Sequence, residues 1–246
     1  MSIVALGGLS GGGSRLLGPI VAQKIGADYV DRLILTNAAK HIGATVEALH
    51  QREQRPPTKM ERVTGLLQRI LERSAVTGAT GDPYFGSGAT ALLTEEFEDM
   101  PQPTITKGHE IEDEKYIEAM RKVIKGLASE GNVVLVGRGA SIILKDNPIA
   151  LRVGTVCRPE DRVNRVMQLD KLDRSTAEKT IIARDKARAY FYTRYFDILD
   201  PDDPQLYHIV VNTSEMDLEY TAEIIANAVR ALEDGRLLRK PGTVPS

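Results

Sequence analysis

The chain of 246 residues has 32 basic and 34 acidic side chains, which gives a formal net charge of −2. This balance excludes a general electrostatic attraction for nucleic acid, so any anion-binding site must be local. No apolar run approaches the roughly 20 residues that span a bilayer, and the single cysteine, Cys157, excludes an internal disulfide framework and a Cys-rich zinc site. We therefore expect a cytoplasmic protein with a structural, buried Cys157.

The first part of the chain alternates between strand and helix patterns. Residues 2–6 predict a strand, a glycine-rich turn follows, and residues 16–25 carry apolar side chains at helical spacing. A second strand or strand-to-helix edge is predicted at 28–35, with helices over 36–50 and 59–74. The chain therefore opens with a strand, a glycine turn and a helix.

The composition shifts toward Gly, Thr and Pro between residues 75 and 107. A long loop inside a compact domain is either functional or disordered, and this segment is predicted to be a mobile insertion. A helix over 113–129 follows, closed by Gly131, and the apolar run at 132–136 has the length of a buried parallel strand.

The last part of the chain repeats the alternation. A turn with a short helix is predicted over 137–144 and a strand over 150–157, followed by a basic helical stretch to residue 195 that is broken near 170–175. A last strand at 207–211 precedes a helix over 218–232 with Asp217 as its cap. The pattern predicts an α/β fold with a parallel sheet covered on both faces. Ligands bind such sheets at the carboxyl ends of the strands.

The stretch LGGLSGGGSR at residues 6–15 lies at such a strand end. A glycine-rich turn entering a helix presents backbone N–H groups to an anion, but the usual phosphate-loop pattern also has a lysine and a magnesium-binding hydroxyl. One alignment places Ser14 at the lysine position, and the alignment shifted by one residue places Ser14 at the hydroxyl position. Neither retains a lysine. We interpret the turn as a phosphate cradle with Arg15 as the candidate replacement charge.

Two other turns at predicted strand ends carry charged side chains. Arg138 stands between two glycines after the strand VVLV, where an arginine suits bidentate phosphate contact. Asp31 and Arg32 lie near the second predicted strand, and a helix cap with a local ion pair is nearly as plausible for them as substrate contact.

The stretch IIARDKARAYFYTRYF combines arginines with aromatic residues. Arg184 and Arg188 are four residues apart on one helix face, which is unfavourable unless an anion lies against them, and Asp185 is expected to relieve the repulsion only in part. A solvated charged face is the ordinary interpretation of such a run, and RNA binding is a further alternative. The four histidines show no metal-ligand spacing.

These motifs, in this order, resemble the cytidylate-kinase-like branch of the P-loop nucleoside monophosphate kinases. The resemblance rests on SGGGSRLLGPIVAQKIG, DYVDRLIL, VVLVGRGASIILKD, LRVGTVCRPEDRVNRV, ARDKARAYFYTRYF and YHIVVNTS. It implies a three-layer P-loop NTPase fold, in one domain over residues 1–234 with the insertion at about 75–107, a helical lid at about 170–200 and a flexible tail over 235–246. It also implies ATP with Mg²⁺ as phosphoryl donor and a nucleotide or related small molecule as acceptor.

The resemblance also suggests roles for individual residues. The donor phosphates would be surrounded by Gly11, Gly12, Gly13, Ser14 and Arg15, with the Ser14 hydroxyl on Mg²⁺.

Asp31, Arg32 and Arg138 would bind the acceptor, while Arg184 and Arg188 would close over the phosphates and act with Arg15 in transfer. True cytidylate kinases have an aspartate after the GR pair, where this chain has Gly139, so the acceptor base is left open.

We therefore expect ATP-dependent phosphoryl transfer to a nucleoside monophosphate. The alternative is a nucleotide-binding regulatory protein that lacks turnover because it lacks the lysine. Nucleic acid and membranes are not expected partners, and a homo-oligomer is compatible with the sequence.

Overall fold

The computed structural model describes residues 1–32, 34, 35, 38 and 107–238. The predicted helices over 36–50 and 59–74 and the predicted insertion at 75–107 therefore lie almost entirely outside the described residues. In the described part of the chain no helix is long and apolar enough to cross a membrane.

The described elements alternate along the chain. The strands are β1 (Ile3–Gly8), β2 (Asp28–Val30), β3 (Val133–Val136), β4 (Ala150–Val156) and β5 (Ile209–Asn212). The helices are α1 (Ser14–Ile25), α2 (Lys107–Glu130), α3 (Ala140–Ile143), α4 (Pro159–Asp170), α5 (Arg174–Phe196) and α6 (Leu218–Glu233). A short 3₁₀ turn, Pro204–Leu206, precedes β5.

The five strands form one parallel sheet in the order β2-β3-β1-β4-β5. Leu6 of β1 pairs with Val136 of β3 on one side and with Val153 of β4 on the other. The carboxyl ends of these three central strands therefore meet at one edge of the sheet, where ligands of such folds bind. The predicted α/β class with a parallel central sheet is confirmed.

The core lies on both faces of this sheet because successive strand side chains point to opposite faces. Ile3 and Ala5 of β1 face a cluster that includes Met120 and Ile124 of α2. Val4 and Leu6 face the opposite cluster, which is completed by side chains of α1 and α6 such as Leu17, Val21, Ile225 and Val229. Helices on either side of a sheet give the three layers that the sequence predicts.

The element ends agree with the local signals in the sequence. The Asp217 side chain accepts a hydrogen bond from the Tyr220 N–H, so the predicted cap of α6 is confirmed. Gly131, at φ +74°, follows α2, which begins at Lys107, earlier than the predicted start at 113. Beyond α6, the N–H groups of Arg236 and Leu237 donate to the Ala231 carbonyl at the start of the predicted tail.

Candidate functional site

A pocket opens at the carboxyl edge of the sheet, between the glycine loop and helices α4 and α5. Six arginines and one carboxylate line it in the described part of the chain: Arg15, Arg32, Arg138, Arg165, Arg184, Arg188 and Asp170. The backbone of Gly8–Ser14 forms one wall. The structure therefore brings together every predicted site residue except Asp31.

Two glycines of the loop have positive φ values, which residues with a Cβ atom adopt only with steric strain. Gly11 and Gly13 have φ values of +75° and +100°. A Cβ atom on Gly13 would lie 2.7 Å from Thr213 Oγ1, and one on Gly11 would lie 2.7 Å from the Arg162 carbonyl oxygen. Gly13 is also the N-cap of α1, so the first N–H groups of that helix point out of its end, toward an anion site.

Side chains from α4 and from the residue after β5 hold the loop from behind. Arg162 Nε donates to the Ser10 carbonyl at 2.8 Å, and Arg165 Nη1 donates to the Gly11 carbonyl at 3.2 Å. Thr213 Oγ1 donates to the Gly12 carbonyl at 2.8 Å. Three successive loop carbonyls are thus bound, and the loop conformation is fixed before any ligand arrives.

The residues that support the loop were not predicted from the sequence. Arg162 and Arg165 lie in CRPEDRVNRV, three residues apart on one helix face, and this spacing is the signal that could have found them. The contacts of Arg165 to Thr213 Oγ1 at 2.8 Å and to the Thr213 carbonyl at 2.7 Å also tie α4 to the end of β5.

The turn after β3 carries Arg138 in an unusual backbone conformation. Gly137, Arg138 and Gly139 have φ values of +81°, +51° and +72°. A positive φ is costly for a residue with a Cβ atom, and such strain concentrates at functional sites. Arg138 is only 8% exposed and lines the pocket.

The two arginines of α5 have separate carboxylate partners. Arg184 Nη1 donates to Asp170 Oδ2 at 2.6 Å, and both side chains are buried. Arg188 Nη1 donates to Asp202 Oδ2 at 2.8 Å. The predicted unfavourable pairing of like charges is therefore offset by these two carboxylates.

Asp185, which was expected to relieve this repulsion in part, points elsewhere. Its carboxylate accepts from Arg162 Nη2, at 2.7 Å for Oδ1 and 2.6 Å for Oδ2. The expected role of Asp185 is thus corrected by the structure, because α5 turns this residue toward α4 rather than along its own surface.

The residues directly after β2 include Asp31 and Arg32, of which only Arg32 is among the pocket-lining residues. The Asp31 carboxylate accepts from the Ile34 N–H at 3.1 Å, which is the capping role considered for it. Arg32 lines the pocket.

Four aromatic residues of α5 pack on one another: Phe191, Tyr192, Tyr195 and Phe196. Phe191 makes edge-on contacts with Tyr192, Tyr195 and Phe196, with ring centroids 5.4–5.9 Å apart. Phe191 and Tyr192 are buried. Rings that pack edge to face inside a core offer no stacking platform for bases, so this helix gives no support to the RNA-binding alternative.

Cys157 lies directly beside the glycine loop. Its Sγ is 3.5 Å from the Gly11 carbonyl oxygen, to which it donates. Burial raises the pKa of the Cys157 thiol, although the nearby Arg165 and Arg162 act to lower it. Cys157 is only partly buried and follows β4, so the predicted buried strand position is wrong, whereas the raised thiol pKa favours a structural over a reactive role.

The pocket offers Mg²⁺ few protein ligands. In the part of the chain that the structure describes, no group of three His, Cys, Asp or Glu side chains could hold a metal ion. Ser14 is the first residue of α1 and lines the pocket. One hydroxyl suits a magnesium ion that takes most of its ligands from phosphates and water, so the site fits a metal that arrives with a nucleotide.

Comparison with known proteins agrees with this geometry. The model of the cytidylate kinase-like family matches residues 3–215. A cytidylate kinase of Methanocaldococcus jannaschii is 32% identical over 109 residues, which cover 44% of this chain and 61% of the relative. A cytidylate kinase of Methanococcus aeolicus is 32% identical over 123 residues, covering 49% and 64%. The chain thus matches less than two thirds of the length of either relative.

A crystal structure of an uncharacterized protein from Eubacterium ventriosum has a similar fold. It superimposes with a TM-score of 0.59 at 17% identity, covering 94% of this chain and 99% of that chain. This likeness concerns the fold alone. The family match over residues 3–215 shows that the chain belongs to the cytidylate kinase-like family.

Proposed function

We propose that the protein transfers the γ-phosphoryl group of ATP to a nucleoside monophosphate, with cytidylate as the first acceptor to test, in the cytoplasm. The observation that carries this proposal is the convergence of six arginines on a preformed glycine loop at the carboxyl edge of the sheet. Phosphoryl transfer depends mainly on positioning and on stabilising negative charge, so such an arrangement supplies what the reaction needs.

In this proposal the glycine loop binds the donor. The N–H groups at the start of α1 and the Arg15 guanidinium would contact the ATP phosphates, and Ser14 Oγ would join the coordination of Mg²⁺. Bound Mg²⁺ would neutralise part of the phosphate charge. Arg15 already lies close to the centre of the pocket, with its Nη1 3.9 Å from Asp170 Oδ1.

Arg32 and Arg138 would hold the acceptor phosphate. Both line the pocket from the ends of neighbouring strands β2 and β3. The left-handed turn at Arg138 fixes the backbone from which that guanidinium projects, which lowers the entropy lost on binding. Asp31 would serve the acceptor site through its cap of the segment that carries Arg32.

Arg184 and Arg188 would supply charge at the reacting phosphates. An acceptor oxygen attacks the γ-phosphorus, the bond to the β–γ bridging oxygen breaks, and negative charge develops on the oxygens between them. In the ligand-free protein Asp170 and Asp202 neutralise the two arginines. The phosphates of the substrates would compete with these carboxylates, so the arginines replace the charge of the absent lysine only in the loaded enzyme.

The experiment is a product analysis with purified protein, Mg²⁺ and ATP against CMP, dCMP, UMP, AMP and GMP in turn. We expect ADP and one nucleoside diphosphate in equal amounts. Arg15→Ala and Arg138→Ala should each reduce kcat/KM by at least about a hundredfold, as expected for loss of a charged contact in the transition state.

Arg230→Ala is the matched control, because Arg230 lies in the last turn of α6 and its contact is with Asn227 of the same helix. Tight ATP binding without a diphosphate product from any of the five acceptors would contradict the proposal and favour a regulatory nucleotide-binding protein.

A further inference from the structure

Helices α4 and α5 pack together as one unit, and in the described part of the chain two side chains of α4, Arg162 and Arg165, bond the carbonyls of the glycine loop. Val163 and Val166 of α4 pack with Ala177 and Ile181 of α5 in a small core of their own. Arg162 and Arg165 bond the loop carbonyls. Movement of the two helices relative to the loop must therefore strain or break these arginine contacts.

Arg162 contacts both the glycine loop and α5. Its Nε donates to the Ser10 carbonyl at 2.8 Å, and its Nη2 donates to both oxygens of Asp185. The Arg162 side chain is 11% exposed and that of Asp185 is 28% exposed, so water screens this pair less than a surface ion pair. A planar guanidinium fixes the angle between its donors, which makes the two contacts geometrically dependent on each other.

Asp185 is adjacent in sequence to Arg184, whose guanidinium lines the pocket. The two residues point to different parts of α4, because Arg184 pairs with Asp170 at the end of that helix and Asp185 pairs with Arg162 near its start. A shift of α5 that carries Arg184 toward a phosphate must also move Asp185. Because Arg162 bonds Asp185 on one side and the Ser10 carbonyl on the other, a displacement of Asp185 also displaces the loop at Ser10.

We propose that Arg162 is a positioning residue that couples the donor-binding loop to the arginines of α5, so that occupancy of the loop changes the affinity for the acceptor. The inference rests on the proposed function, since it assumes that the loop and α5 serve the same reaction. Coupling of this kind is reciprocal between two ligands and reaches about 5- to 150-fold in affinity.

The chain offers a matched pair of variants. Asp185→Asn removes the charge that holds Arg162, whereas Glu160→Gln removes another carboxylate that links α4 to α5, through Arg174 Nη1 at 2.7 Å. Glu160 and Arg174 are exposed, and among the described contacts neither side chain bonds the glycine loop. The two variants therefore separate a general loss of helix pairing from loss of the contact to the loop. Arg162→Lys keeps the charge but not the planar pair of donors.

The measurement is calorimetric binding of CMP, or of the monophosphate that product analysis identifies, with and without a non-hydrolysable ATP analogue. We expect the analogue to raise acceptor affinity about tenfold in the wild type and in Glu160→Gln, and less than about twofold in Asp185→Asn and Arg162→Lys. The affinity for the analogue alone should change by less than about threefold in all four proteins, because each keeps the loop N–H groups and Arg15.

Hydrogen exchange of the ligand-free proteins supplies a readout that needs no turnover. Amides in the segment 9–16 should exchange faster in Arg162→Lys than in the wild type and should be unchanged in Glu160→Gln.

Equal coupling in Asp185→Asn, Arg162→Lys and the wild type would overturn the inference while leaving the proposed function intact. No coupling in an active wild type would do the same. A wild type that binds neither nucleotide would instead overturn the proposed function, and the inference with it.

Discussion

Asp170 and Arg184 form a buried ion pair inside the candidate site, with Nη1 and Oδ2 separated by 2.6 Å and side-chain exposures of 3% and 4%. The second Asp170 oxygen, Oδ1, is also buried, has no hydrogen-bond partner among the described residues and lies 3.9 Å from Arg15 Nη1. One carboxylate thus lies between the loop arginine and an arginine of α5. Its negative charge therefore lies between two arginines that the proposed function assigns to phosphate binding.

Asp170→Asn should therefore destabilise the ligand-free protein. Removal of one partner of a buried ion pair leaves the other charge buried, which costs about 3 kcal/mol in the free energy of unfolding. Saturating ATP should restore part of this loss, because phosphate can compensate Arg184. Urea denaturation with and without ATP measures both effects.

The control for Asp170→Asn is Asp202→Asn, which breaks the corresponding pair of Arg188. Because the Asp202 side chain is 29% exposed, its removal should cost only about 1 kcal/mol. Equal losses in the two variants, or no effect of ATP on Asp170→Asn, would contradict the assignment of Asp170 as a counter-ion within the phosphate site.

Comparing Arg138→Gly with Arg138→Ala separates two contributions of Arg138: the contact that its guanidinium makes in the reaction and the backbone strain at its position. Arg138 has φ +51°, a backbone conformation that glycine adopts without strain but that strains any residue with a Cβ atom. We expect Arg138→Gly to be more stable than Arg138→Ala by about 1 kcal/mol, while both lose at least about a hundredfold in kcat/KM. Thermal unfolding and steady-state rates measure the two properties. A kcat/KM close to that of the wild type in Arg138→Gly would mean that the side chain has little part in transfer.

The Phe196 ring leaves no space for a side chain at Gly139. An added Cβ atom would lie 2.7 Å from the Phe196 ring, and φ is +72°. Gly139→Asp should lower the free energy of unfolding by about 2 kcal/mol through overpacking and backbone strain together. A side chain at position 139 would therefore not fit beside Phe196 without displacing that ring.

Gly26→Asp isolates the backbone part of that effect. Gly26 has φ +63° and open space around the added Cβ atom, so strain of about 1 kcal/mol applies without overpacking, together with the cost of a negative charge at the C-terminus of α1. The double change Gly139→Asp with Phe196→Leu should recover stability relative to Gly139→Asp alone. Equal losses at positions 26 and 139 in urea denaturation would exclude a role for the Phe196 contact.

Cys157 should react slowly with thiol reagents. Burial is the main cause that raises its pKa, and the thiolate is the reactive form. At pH 8 we expect the folded protein to react with an aromatic disulfide at least about tenfold more slowly than the urea-unfolded chain. Absorbance of the released thiol gives both rates, and similar rates would show that the thiol beside Gly11 is accessible and ionised.

The sequence was informative wherever a local pattern determines the structure. The glycine loop and the apolar run before Arg138 gave the order of strands and helices and two walls of the site, because periodicity and glycine content are local properties. Asp217 was recognisable as a cap for the same reason.

The supporting contacts of the site could not be derived in that way. Arg162 and Ser10 are 152 residues apart, and Arg184 and Asp170 belong to different helices whose packing decides which side chains meet. The charge pattern of α5 indicated that an anion lies against Arg184 and Arg188, but it did not indicate that the Asp170 carboxylate pairs with Arg184. Local spacing shows which residues share a helix face, whereas only the tertiary fold shows what that face contacts.

The most direct test of the central claim follows the γ-phosphoryl group itself. Wild-type protein with γ-labelled ATP, Mg²⁺ and each nucleoside monophosphate should transfer label to a nucleoside diphosphate, and Arg15→Gln should reduce the rate at least about a hundredfold because the loop has no lysine to replace that charge. Absence of labelled diphosphate with every acceptor, or an unchanged rate in Arg15→Gln, would contradict an arginine-based transfer site.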